Sequence, residues 1–307
     1  MNKIPNLTAL AFGLLLLTAC DKSDVAEDII EPDVPEVPTD STTTGMPMNV
    51  VTRTFDAGVI KNVSVGLYAS NYIEDIYQEL QSSGNYIDNM CLEYKDGVWR
   101  TDTPFYWYDS ATQVDFYAYA PYNAAMSNSR EYLFHLPIDQ RTDESLASAD
   151  FMWGRLLGVY PSSEEVSLNV NHMFAKVLVN IVPDESYAQG ELTPAELKVE
   201  LGGMKVAGTI DLMTGSLKLS GNTSTVVMHD NGDLTYSAIV MPQALGFVNL
   251  VRVTKGDDFY PLQGSITFEG GKTYTLSVTI GKKGVGGLNI GISSWEIDEK
   301  DYGGTVE

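Results

Sequence analysis

The chain has 307 residues, 44% hydrophobic and 10% aromatic, enough apolar surface to offset its ordering entropy and to exclude wholesale disorder. Its 41 Asp+Glu against 19 Lys+Arg give a formal charge of −22, which repels phosphate backbones and anionic lipid surfaces and so argues against nucleic-acid binding. Two Cys and three His, scattered at Cys20, Cys91, His135, His172 and His229, argue against a zinc or iron–sulfur centre, and no metal site or cofactor is expected.

The first element is an address. Lys3 precedes an apolar run at residues 9–17 (ALAFGLLLL), far short of the roughly 20 residues a spanning helix needs, so residues 1–19 read as a signal peptide. The run ends in Leu17-Thr18-Ala19-Cys20, which resembles the bacterial lipobox and implies palmitate-type acyl chains on Cys20. Each buried methylene contributes about 0.8 kcal/mol, so more than one chain anchors stably, and an outer-membrane lipoprotein is expected. With Cys20 acylated, Cys91 is left without an intrachain disulfide partner and reads as a small buried hydrophobe. Residues 20–48 read as a tether, in which acids from Asp21 to Asp40 face the single base Lys22, with Pro32, Pro35, Pro38 and Pro47. Like charge and proline keep such a segment extended, with a reach of about 90 Å. Acids directly after the acylated Cys also resemble the surface-export signal of Bacteroidetes lipoproteins, although a solvated linker explains them too.

Beyond Met48 the period is two. Val63, Val65 and Leu67 alternate with small or polar residues, as do Leu234, Tyr236, Ala238 and Val240, and Tyr274, Leu276, Val278 and Ile280. Asp96-Gly97, Thr214-Gly215 and Asn231-Gly232 fall between such runs and predict hairpins. One helix is expected at Ile73, Ile76, Tyr77 and Leu80, with Asn71 and Glu74 spaced as N-cap and N3. In VSLNVNHMFAKVLVNI the apolar parity slips near His172, which predicts a β-bulge and a hydrogen-bonded structural histidine. The polar, proline-bounded stretch at residues 183–194 predicts a boundary between β-sandwiches at 49–182 and 183–307. Near the C-terminus, GKKGVGGLNIG reads as a flexible joint, since it opens no helix and lacks a phosphate-binding pattern.

No catalytic residues are expected: G-x-S-x-G, H-E-x-x-H and the phosphate-loop patterns are absent. Glu164-Glu165 and Asp257-Asp258 point to opposite faces of a strand and read as solvated surface. Aromatics at Tyr106, Trp107, Tyr108, Phe116, Tyr117, Tyr119 and Tyr122 suit either core packing or stacking on sugars.

Several of these runs together resemble the fimbrillin family, the lipoprotein-derived type V pilins of Bacteroidetes. They are VDFYAYAPYN (114–123), SADFMWGR (148–155), NHMFAKVLVNI (171–181), SAIVMPQ (237–243), GGKTYTLSVTI (270–280) and a terminal SSW (293–295). The resemblance implies an all-β fold of two transthyretin-like sandwiches. It also implies assembly with other pilin subunits by β-strand addition, triggered when a trypsin-like surface protease cuts after an arginine near the start of the first sandwich. Met46, Met48 and Val50 share a parity ahead of Arg53, the first basic residue after Lys22, and would form the displaced strand. Leu288, Ile290 and Ile292 share a parity near the C-terminus and would form the donor strand. Three such side chains fully buried contribute roughly 5–9 kcal/mol at about 1.5–3 each. If that strand instead completes its own sandwich, a tip or anchor subunit is implied. Two other readings stay open: a glycan-binding lipoprotein of a polysaccharide-uptake system, and a hydrolase.

Overall fold

In the computed structural model, which describes residues 45–54, 63–72, 76–96 and 98–295, the period-two runs form strands. The expected signal peptide, Cys20 and the expected tether up to residue 44 lie outside the described residues. In chain order the elements begin β1 (Asn49–Thr54), β2 (Val65–Asn71), β3 (Ile87–Lys95), β4 (Val98–Arg100), β5 (Val114–Ala120) and β6 (Tyr132–His135). Then come α1 (Asp143–Ala149), β7 (Met152–Val159), β8 (Glu165–His172), β9 (Ala175–Pro183), β10 (Leu197–Asp211) and β11 (Ser216–Val227). The last are β12 (His229–Asp230), β13 (Thr235–Val240), β14 (Gln243–Lys255), β15 (Asp258–Phe268), β16 (Lys272–Gly281) and β17 (Gly284–Ser294).

The first sheet has seven strands in the order β1-β8-β7-β5-β2-β3-β4. Strand β5 is buried at every position, and its two parities serve different cores. Phe116, Ala118 and Ala120 join Leu67 and Leu168 in one cluster, whereas Tyr117 and Tyr119 join Tyr68 and Phe151 in another. A strand covered on both faces reads as a continuous apolar run, as VDFYAYA does. The aromatics divide accordingly: Trp107, Phe116, Tyr117 and Tyr119 are core, while Tyr106 and Tyr108 are exposed.

Two further five-stranded sheets follow, β11-β10-β14-β15 with β6 also paired to β10, and β12-β13-β9-β16-β17, and they bury the second cluster between them. Val199, Leu201 and Val251 come from one; Val177, Tyr236 and Leu276 come from the other. Hairpins lie where Asp96, Thr214-Gly215 and Asn231-Gly232 predicted them. Gly215 adopts φ +70, and a Cβ there would stand 2.5 Å from the Trp153 ring, so only glycine lets the first sheet's Trp153 dock on this turn. The Trp153 indole N–H donates to the Leu212 carbonyl at 2.7 Å.

Four expectations change. The all-β class with one short helix holds, but the helix is α1, capped by Thr142, whose hydroxyl accepts from the Ser145 N–H. At the site expected to be helical, Asn71 still pairs with Val114 in β2, and Ile76 and Tyr77 are exposed while Leu80 is fully buried. The three described members of the i, i+3, i+4, i+7 set thus share no buried face; Ile73 and Glu74 lie outside the described residues. The slip at His172 is no bulge: β8 ends there, Met173 and Phe174 cross between sheets, and β9 starts afresh with its own parity. The division expected at residue 183 does not separate the sheets, because β9 pairs with β13 and β16 and β6 pairs with β10. Finally, the glycine-rich joint is a tight hairpin, with Lys282-Lys283 turning between paired Gly281 and Gly284.

Candidate assembly surfaces

The segment around β1 changes partners along its length. Residues 46–48 pair with 105–107: the Trp107 N–H donates to the Met46 carbonyl at 2.9 Å and the Met48 N–H to the Phe105 carbonyl at 3.0 Å. From Asn49 on, β1 runs parallel to β8, in register from Asn49↔Glu165 to Thr54↔Val170. It is an edge strand, held through one neighbour. Met48 and Val50 are buried at 6% and 4% exposure, but Met46 is exposed. Thr52 takes the third inward place and is fully buried, with a hydroxyl that has no hydrogen-bond partner. Arg53 has the opposite parity and is partly exposed; its guanidinium donates to Glu165 Oε1 at 2.8 Å and to Ser167 Oγ at 3.1 Å. An ion pair so exposed contributes at most about 1 kcal/mol.

At the far edge of the third sheet, β17 lies antiparallel to β16, with Val278↔Leu288, Leu276↔Ile290 and Tyr274↔Ile292 in register. Residues directly opposite share a sheet face. Tyr274, Leu276 and Val278 are buried, so Leu288, Ile290 and Ile292 also point to the core side. Leu288 is partly covered against the core, but Ile290 and Ile292 are 45% and 64% exposed. The strand therefore pairs fully along its backbone while two of its three aliphatic teeth stand uncovered. Just beyond, the Trp295 N–H donates to the Gly271 carbonyl at 3.0 Å, and its indole stacks on His172 with ring centres 3.9 Å apart and planes 4° from parallel. His172 Nδ1 lies 2.7 Å from Asp150 Oδ1. The histidine expected to be structural thus anchors the end of β17.

Sequence reasoning grouped Met48 with Val50 and Leu288 with Ile290 and Ile292, as the structure does. It missed Thr52, although Thr52 continues the same parity, and it missed the Trp295–His172 stack, which joins residues 123 apart with no local signal.

The comparisons with known proteins agree with this architecture. The model of the fimbrillin-like family matches residues 52–295. A protein of Bacteroides uniformis named "Putative fimbrium subunit Fim1C" is 25% identical over 287 residues, 88% of either chain. A solved structure described as a "putative cell adhesion protein" from Bacteroides uniformis superposes with a TM-score of 0.66 at 19% identity, covering 84% of this chain and all of that one. One of like description from Bacteroides ovatus gives 0.65 at 16%, over 83% of this chain and 99% of that one. At such identities the solved structures speak for the fold alone, but the family match spans most of the sequence, and this chain belongs to the fimbrillin-like family.

Proposed function

We propose that this chain is a structural or accessory subunit of a cell-surface fimbrium, lipid-anchored to the outer membrane through Cys20 until it assembles by strand exchange. Family membership and the relative named as a fimbrium subunit support the coarse reading. The observation that carries the finer one is a matched pair of edges. Along β1, Val50 and Thr52 fill inward places beside β8, with Met48 buried just ahead of them; at β17, Leu288, Ile290 and Ile292 share the same i, i+2, i+4 spacing and are incompletely covered.

A trypsin-like protease cutting after Arg53 would sever β1 before Thr54, since the ladder to β8 runs on to Thr54↔Val170. The freed segment carries Met48, Val50 and Thr52 away and leaves β8 with unpaired backbone groups and an apolar slot. A second copy's β17, entering by strand addition, supplies both the backbone partners and the teeth. Seated in the direction of β1, it would place Ile292 where Thr52 now buries an unpartnered hydroxyl.

The test is to treat the purified chain with a trypsin-like protease and run the product unheated on a denaturing gel. Heat-sensitive ladders are expected, and Arg53→Ala should abolish them. A product trimmed behind residue 53 that stays monomeric at high concentration refutes strand exchange.

A further inference from the structure

A second feature lies on the β11-β10-β14-β15 sheet. β10 and β14 pair regularly from Leu197↔Lys255 to Leu201↔Val251. Beyond that point β10 shifts register against β11 between Leu201 and Met204, and β14 shifts against β15 between Asn249 and Val251. At this irregularity a Cβ on Gly202 would lie 2.3 Å from the Asn249 carbonyl oxygen, and Gly203 adopts φ +78. Only glycines fit here, and their missing side chains leave a shallow cleft of about 490 Å³ lined by Gly202, Gly203, Thr225, Asn249, Arg252 and Phe259.

Arg252 alternates with the core residues Val251 and Val253, so it projects from the face away from the core. Its guanidinium lies 5.0 Å from the centre of the Phe259 ring, and Nη1 donates to the Thr225 hydroxyl over a long 3.4 Å. Its buried Nε–H has no acceptor. Glu200 stands opposite in register, yet its carboxylate pairs with Lys198 at 2.7 Å. Arg53, Arg100, Arg130 and Arg141 each have a carboxylate partner; among the described residues Arg155 and Arg252 have none within 4.0 Å, and of these two Arg155 donates to the Met213 carbonyl at 2.9 Å. In a chain with 41 acids and a net charge of −22, Arg252 shares with Arg155 a place over an aromatic ring and no carboxylate in ion-pair range, but of the two only Arg252 has a buried Nε–H without an acceptor.

A guanidinium fork recognises a carboxylate by two parallel hydrogen bonds, which an ammonium does not reproduce. Phe259, 46% exposed, offers an apolar surface beside it, and Thr225 and Asn249 offer hydroxyl and amide groups. Charged fork, aromatic surface and neutral polar groups in one shallow cleft suit an acidic sugar. We propose that the Arg252 cleft is a binding site for a carboxylate-bearing saccharide. Arg252 and Phe259 belong to neither β1 nor β17, so this site stands or falls independently of assembly by strand exchange.

The test titrates the full chain, in mild detergent, with a glucuronate-terminated tetrasaccharide, a sialyl trisaccharide and lactose by calorimetry and saturation-transfer NMR. At least one acidic probe should bind tenfold or more tightly than lactose; which of the two does so distinguishes a uronate from a sialate. Arg252→Gln should erase that margin and Arg252→Lys most of it, with thermal melting unchanged. Phe259→Ala, which leaves the fork in place, should weaken the acidic probe severalfold. The proposal is overturned if neither acidic probe binds better than lactose, if the margin survives Arg252→Gln, or if free glutamate binds as tightly as the sugars.

Discussion

Two buried polar residues of the first sheet sit at a cost to the fold. Asp115 lies fully buried in β5, where Oδ1 accepts the Gly158 N–H at 2.6 Å and the Tyr72 hydroxyl at 3.4 Å while Oδ2 has no partner. Burial raises its pKa, and the Gly158 hydrogen bond opposes that only in part. With the folded pKa above the unfolded one, the native state holds the proton more tightly, so this group's stabilising contribution is complete below the ordinary carboxylate range and is lost as pH rises through the raised value. Asp115→Asn should therefore be more stable than the wild type at pH 7, with a margin that shrinks as pH falls toward 4; urea midpoints across that range check it, and a pH-independent margin contradicts it. Thr52→Val removes the unpartnered hydroxyl from the β1 slot at almost constant volume and should stabilise the chain by about 1 kcal/mol. Under the assembly reading the same substitution slows displacement of β1, read as slower ladder growth after proteolysis.

Elements show how far local pattern carries. Strand runs and hairpins were legible because alternation and turn residues are written within a few positions, as in Tyr274 to Ile280 or at Thr214-Gly215. The helix expected at Ile73, Ile76, Tyr77 and Leu80 is not met at the described positions 76–80, where Leu80 turns inward while Ile76 and Tyr77 stay exposed. The parity slip at His172 is visible in the sequence, but a β-bulge is the wrong account of it, because its cause, a crossing between sheets, depends on partners far along the chain. The candidate strands were legible as parities, but their edge positions were not, since Val166 and Leu276, the neighbours of Val50 and Ile290, are fixed only by topology. The Trp295–His172 stack is likewise nonlocal, and it predicts how β17 is held. Aromatic stacking of this kind contributes about 0.5–1.5 kcal/mol, so Trp295→Ala should speed local opening of β17 roughly 2- to 12-fold. Hydrogen exchange should show faster exchange at β17 amides with β9 unchanged; equal protection in both proteins would mean that the ladder to β16 alone retains the strand.

For the whole molecule, the proposed strand exchange would make each copy both donor and acceptor, with the two capacities at opposite ends of the described chain, in β1 and β17. Such a heterologous contact propagates as a filament unless its rotation closes a ring. Damage to one capacity alone should terminate growth without preventing attachment. A chain carrying Ile290→Asp and Ile292→Asp keeps its Arg53 site and its β8 slot, and because both isoleucines are already exposed, the charges should cost its own fold little. As a donor it is disabled, because two carboxylates would enter an apolar slot where an uncompensated charge costs several kcal/mol. Treated alone with a trypsin-like protease it should remain monomeric. Mixed with wild type before proteolysis it should cap filaments through its intact slot, so that mean ladder length falls as its share rises and approaches two subunits when it is in large excess. If the variant has no effect on ladder length, the joint is built from some other surface; if it polymerises alone, Ile290 and Ile292 are not the teeth.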